Sequence, residues 1–149
     1  MPIHEEASVE FRLPAMDALG RLDVDGKLRF ADGTLYVHWK RRDRTFTRTT
    51  NKLATAEVGL GGIAGCELDK GWFSSTLRLE IKDPRVLEEL PGAEMGKLEV
   101  KLERSQREPA EKLVSVLEYE LSQWKAEESK RRLEQLEERE AAAADARED

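Results

Sequence analysis

Residues 57–82 read EVGLGGIAGCELDKGWFSSTLRLEIK, and this stretch decides the fold. In its second half Leu77, Leu79 and Ile81 alternate with Arg78, Glu80 and Lys82, the period of two that marks a strand buried on one face. Its first half carries Ile63 and Leu68, and Asp69 to Ser75 supply a tight reversal between the two runs. The stretch reads as an antiparallel hairpin, whose apolar face needs a covering layer.

Working outward, the same alternation recurs. Val9, Phe11 and Leu13 form one short face that Pro14 ends. Leu28 and Phe30, then Leu35, Val37 and Trp39, flank Asp32-Gly33, the residue pair that a tight hairpin turn demands. Leu53 to Leu60 leads into the central hairpin, and Leu98, Val100 and Leu102 alternate with Lys97, Glu99 and Lys101 in a last strand. Ala15 to Gly20 reads as a helical turn. Residues 83–96, with two prolines and two glycines, read as an ordered loop around one turn from Pro84 to Leu90.

The covering layer is the C-terminal helix. Ser105 followed by Glu108 resembles a capping box, and Pro109 is tolerated in a first turn because its missing N–H would have no intrahelical partner. Leu113, Val116, Leu117, Leu121 and Trp124 fall on one stripe, each contributing about 1.5–3 kcal/mol when buried. From Lys125 the large apolar residues thin to Leu133 and Leu136, while Glu127 with Arg131 and Glu128 with Arg132 pair at i,i+4. The helix is expected to project beyond the domain and to fray from Ala141.

The chain has 149 residues and a net charge of -6. Residues 107–149 hold 8 basic and 13 acidic side chains against 17 and 18 in residues 1–106, so the folded part is close to neutral. This length suits one domain plus an appendage. No apolar run approaches the ~20 residues that cross a bilayer. MPIHEEASVEF lacks the basic and apolar regions of a signal peptide, so a cytoplasmic location is expected. Cys66 is the only cysteine, which excludes an intramolecular disulfide, and its apolar neighbours suggest a buried structural thiol.

Six or seven strands followed by one amphipathic helix resemble the pleckstrin-homology-like (PH-like) fold. LGGIAGCELDKGWFSSTLRLEI and REPAEKLVSVLEYELSQ look like bacterial PH-like domains, with an Ile-Ala-Gly strand, a glycine-aromatic hairpin, a leucine-rich return strand and a capping helix. The resemblance covers residues 22–124 and implies a β-sandwich or partly open barrel of antiparallel strands capped by the helix. Residues 1–21 would form a partly ordered N-terminal segment and 125–149 a charged helical extension. A binding or scaffolding module is implied, for lipids, peptides or proteins, among which fold alone does not choose.

Several residue groups compete for a role. Lys40, Arg41, Arg42, Arg44, Arg48 and Lys52, against Asp43 alone, give residues 37–52 a charge of +5. Such forks and ammonium groups grip phosphate oxygens of an anionic lipid headgroup, and many PH domains use basic residues in a comparable early strand-loop-strand segment. The competing reading is a solvated loop, or an edge strand that charge protects from aggregation. Trp72 and Phe73 sit at the predicted hairpin tip. Ordinary burial preferences favour core packing under the adjacent loop, whereas an exposed ring there would serve as a partner anchor or membrane wedge.

Leu133 and Leu136, with Ala126, Ser129 and Ala143, occupy a sparse a/d register that suits docking, pairing with a second copy, or a merely solubilising helix. Residues 59–64, GLGGIA, match GxGxxA, but strand-like residues follow where a dinucleotide site requires a helix, so a glycine-permitted bend is expected. His4 and His38 have neither metal-ligand spacing nor a nucleophile elbow, and the acidic balance argues against nucleic acid. The expectation is a non-enzymatic protein-interaction or assembly module without cofactor or metal, contacting another protein or itself through Trp72, Phe73, Leu133 and Leu136. The alternative is an adaptor for anionic membrane lipid through Lys40 to Lys52. A small-molecule-binding enzyme would need a pocket that the pattern does not foresee.

Overall fold

The computed structural model describes residues 7–14, 19–20, 22–43 and 53–147. The described strands are β1 (Ala7–Leu13), β2 (Leu22–Ala31), β3 (Thr34–Asp43), β4 (Ala54–Gly59), β5 (Ile63–Lys70), β6 (Ser75–Ile81) and β7 (Lys97–Leu102). They form a four-stranded sheet in the order β1-β2-β3-β4 and a three-stranded sheet in the order β5-β6-β7, antiparallel throughout. The two sheets do not close into a barrel. Helix α1 (Arg107–Arg147) follows, 41 residues long.

The alternating patterns produce these elements directly. Val9, Phe11, Leu28, Phe30, Leu35, Val37 and Trp39 are buried on one sheet and Leu77, Leu79, Ile81, Leu98, Val100 and Leu102 on the other. Between β2 and β3 the turn has φ 51° at Asp32 and 76° at Gly33, the pair of positive angles whose twist matches the flanking strands. The Phe11 ring lies across Gly26, its cross-strand partner, where any Cβ would collide with the ring.

Two open flanks remain, and each is covered. A 3-10 turn at Pro84–Leu87 packs on β4 and buries Leu87, with Leu90 buried just beyond it. Helix α1 packs on β1 and β5, the edge strands of the two sheets. Its Ala110, Leu113, Leu117 and Leu121 are buried. Lys70 Nζ is 2.9 Å from Glu111 at one end of β5, and at the other end the Trp124 indole lies over Gly61. A Cβ on Gly61 would stand 2.9 Å from Trp124 Cζ2, so the glycine is what lets the helix approach. The helix therefore runs antiparallel to β5.

Three expectations are corrected. The domain begins before residue 22, because β1 pairs along its whole length with β2 and buries Ala7, Val9, Phe11 and Leu13. Ser105 is not the helix cap but lies inside a 3-10 turn, Arg104–Gln106, that leads into α1. The apolar stripe includes Ala110, too small to stand out in a pattern of large residues, while Val116 and Trp124 are only half-buried. Helix α1 is continuous to Arg147. The helical turn expected from Ala15 lies largely outside the described residues.

The GLGGIA segment is a 3-10 turn, Leu60–Gly62, that enters β5. The backbone N–H of Lys82 donates to the Gly62 carbonyl at 2.8 Å and ties the turn to the end of β6.

Leu117→Ala is expected to cost about 2–5 kcal/mol, because the residue is fully enclosed. Ending the chain at Lys125 is expected to change stability by less than about 0.5 kcal/mol. Urea unfolding of both variants checks this, and a large loss on truncation would show that the distal helix packs on the domain.

Candidate binding surfaces

The β5–β6 hairpin ends in the pair Lys70↔Ser75, which leaves Gly71 to Ser74 as the connecting loop. Gly71 N–H donates to the Ser74 carbonyl at 3.0 Å, and a Cβ on Gly71 would stand 2.5 Å from that oxygen. So tight a closure leaves the two middle side chains no element of their own fold to lean on. Trp72 is 96% exposed and Phe73 94%. Core packing was the reading favoured by burial preferences, and the loop geometry overturns it for both rings. Each forgoes the ~1.5–3 kcal/mol that burial of a large apolar side chain provides.

The base of this apex is pinned by charge. Glu111 Oε1 receives Lys70 Nζ at 2.9 Å and lies 3.8 Å from Arg107 Nε. These groups are about half exposed, so the pairs orient more than they stabilise.

The basic segment is divided. Strand alternation puts Arg41 on the side of Val37 and Trp39, where its Nη2 donates to the Glu89 carbonyl at 3.1 Å. Lys40 and Arg42 face the other way. Arg42 Nη2 is 3.8 Å from Asp23 and its Nε is 3.8 Å from Asp25, while Arg12 Nε sits 2.8 Å from the other Asp25 oxygen. The hydrogen bond to Asp25, followed by its charge, pushes the Arg12 pKa up. Lys40 stands opposite Asp25 in register and is exposed. Arg44, Arg48 and Lys52 lie outside the described residues.

Among the described residues, each sheet carries an open groove. One of about 470 Å³ is lined by Glu10, Arg12, Lys27, His38, Lys40 and Glu103 among others. The other, about 640 Å³, includes Glu67, Arg78, Glu80, Met95 and Glu99. In both, cross-strand pairs of opposite charge set the character: Glu10 faces Lys27, and Arg78 Nε is 3.3 Å from Glu99. On the first sheet the Arg29 guanidinium sits 4.3 Å above the Tyr36 ring, which stacks with His38 at 6.1 Å. His38 Nδ1 and Thr55 Oγ1 are 2.9 Å apart. Burial, then the charges of Arg29 and Lys27, hold the His38 pKa below its usual range.

Beyond Trp124 the helix carries no buried residue, and Leu133 and Leu136 are 60% and 54% exposed. This segment, Lys125 to Arg147, adds about 35 Å of length at 1.5 Å per residue. It leaves the domain at the opposite end from Trp72 and Phe73. Cys66 is buried, and its thiol is pushed up to about 12 by burial first and then by the negative charges of Glu118 and Glu67. Among the described residues no group of three or more His, Cys, Asp or Glu could hold a metal ion, and no helix is long and apolar enough to cross a membrane.

Sequence reasoning had singled out Trp72, Phe73, Leu133 and Leu136, and all four are exposed. It missed the Arg12–Asp25–Arg42 network, whose members meet only through the cross-strand register. No family model matches the chain, and no curated protein or solved structure matches it.

The native Cys66 thiol is expected to resist an aromatic disulfide reagent at pH 8 and to react fully once the chain is unfolded. Fast labelling of the native protein would contradict its burial. His38 favours the neutral ring in the fold, so its contribution to stability is fully present above its ordinary value of 6.5 and falls as pH drops through 6.5 toward the lower folded value. An NMR titration of the ring protons should give a midpoint below 6.5, and one above it would contradict the assignment.

Proposed function

We propose that the chain is a non-enzymatic binding module of the PH-like class, which makes its contact through Trp72 and Phe73 and carries the distal part of α1 as a spacer. The PH-like reading is supported by the four-plus-three arrangement of antiparallel strands and by the helix that closes the gap between β1 and β5. The contact reading is carried by one observation: two adjacent aromatic rings are almost wholly exposed on a loop that its own hydrogen bond holds closed. Aromatic side chains dominate the energetics of contact surfaces when a partner desolvates them. A cytoplasmic setting suits the free thiol of Cys66.

Within the basic segment, Arg41 and Arg42 are the poorer contacts. Arg42 is partly neutralised by Asp23 and Asp25, and Arg41 is bonded to a backbone carbonyl on the other face. The helix supports an assembly role by setting whatever it joins about 35 Å from the domain.

Replacing both rings, Trp72→Ser with Phe73→Ser, should leave the thermal midpoint within about 2 °C, since surface changes stay within about 0.5 kcal/mol. Retention on a phenyl-substituted chromatography matrix should fall. A loss of about 2 kcal/mol or more would make the rings structural and sink this reading.

A further inference from the structure

We infer that the surface met by Trp72 and Phe73 is the interfacial layer of a lipid bilayer, an inference that rests on the apex being the contact element. The first argument is shape. The apex is convex, and the residues beside the rings, Gly71 and Ser74, are small and uncharged. A convex pair of rings requires either a matching apolar pocket or a medium that deforms around it.

Among the described residues, the surfaces of a second copy are poor receptors for the two rings. Tip-to-tip contact of four rings, each burying about 150–250 Å², totals at most about 1,000 Å², short of the ~1,200–2,000 Å² of a stable interface. The two grooves are lined by charged pairs, among them Arg78 with Glu99, which an indole would strip of water. A bilayer interface needs no preformed pocket and is where tryptophan is enriched.

The second argument is charge. Lys70, Lys101, Arg104, Arg107 and Lys112 stand at the apex end, in the strand ends and first helical turns that the Lys70–Glu111 pair holds together. Asp69, Glu103, Glu108 and Glu111 oppose them, so this end has a charge of +1 in a chain of -6. From Leu113 onward the chain has 11 acidic and 6 basic residues, all farther along a helix that runs away from the apex. Glu118 is already about 10 Å along the axis from Glu111, beyond the Debye length of about 8 Å in physiological salt. The acidic excess is thus screened from a membrane touched by Trp72.

Depth follows from the backbone. Gly71 N–H and the Ser74 carbonyl satisfy each other, whereas the remaining polar groups of the loop need water or headgroups, which holds insertion to the interfacial layer.

The test uses the full chain with vesicles of phosphatidylcholine alone and of phosphatidylcholine mixed with phosphatidylserine, at low and physiological salt. Binding to both is expected, several-fold stronger on the mixed vesicles at low salt. Tryptophan emission should shift to the blue and be quenched by lipids brominated near the top of the acyl chain. Trp72→Ser with Phe73→Ser should reduce binding by at least about tenfold without changing the thermal midpoint. Lys101→Glu with Arg104→Glu should remove only the preference for mixed vesicles.

Failure of the intact chain to bind either vesicle would overturn the inference and assign the apex to a protein pocket, leaving its role as contact element standing. Binding that survives loss of both rings but disappears in Arg41→Glu with Arg42→Glu would overturn it in favour of the basic segment. A lowered thermal midpoint in the ring variant would instead remove the apex as contact element altogether.

Discussion

Two half-buried sheets that do not close into a barrel leave their core open between the edge strands β1 and β5, and the stripe Leu113, Leu117, Leu121 of α1 is what seals it. Nearly everything else in the architecture follows from that contact. The helix lies low enough to seal the gap because Gly61 admits the Trp124 indole at one end and Glu111 meets Lys70 at the other. The same two points set its direction along β5. Once the direction is set, the part of the helix that outlasts the domain must emerge at the end of β5 that follows the Leu60–Gly62 turn, away from the Trp72–Phe73 hairpin.

The elements that a sheet edge exposes are also managed. Among the described residues, β1 has one of its outward N–H groups, that of Glu10, answered by Gln106 Oε1 at 2.9 Å, from the turn that introduces α1. The outer faces are filled by cross-strand pairs of opposite sign, such as Arg12 with Asp25 and Arg78 with Glu99. These pairs lie in solvent and individually stabilise little. Their consequence is for recognition: a cation already answered by a neighbouring carboxylate has less to offer a ligand, which bears directly on Arg42.

The strands were legible because each buries one face only, and a period of two survives in a single sequence. The helix stripe was legible for the same reason, except at Ala110, whose burial depends on close approach to the sheet and not on its size. Register was not legible. Arg12, Asp25 and Arg42 are far apart along the chain and meet only because Arg12 faces Asp25 across β1–β2 while Arg42 faces Asp23, two residues from Asp25 on the same face of β2. The exposure of Trp72 and Phe73 was hidden for a different reason. Burial preference averages over all positions of a residue type, whereas here a four-residue loop closed by Gly71 and Ser74 determines where both rings go.

The contrast between the basic segment and the aromatic apex is a contrast between interactions that a fold can satisfy internally and those it cannot once the chain has turned. Arg41 and Arg42 continue a strand whose neighbours supply carboxylates and a carbonyl, so folding itself occupies part of their capacity to bind anions. Trp72 and Phe73 occupy a turn beyond the last strand pair, where no side chain of the described fold reaches them. Both rings are almost wholly exposed to water, and removing that water is a favourable change that contact with another surface can bring. The position of the rings, more than their identity, makes the hairpin tip the part of this molecule that faces outward.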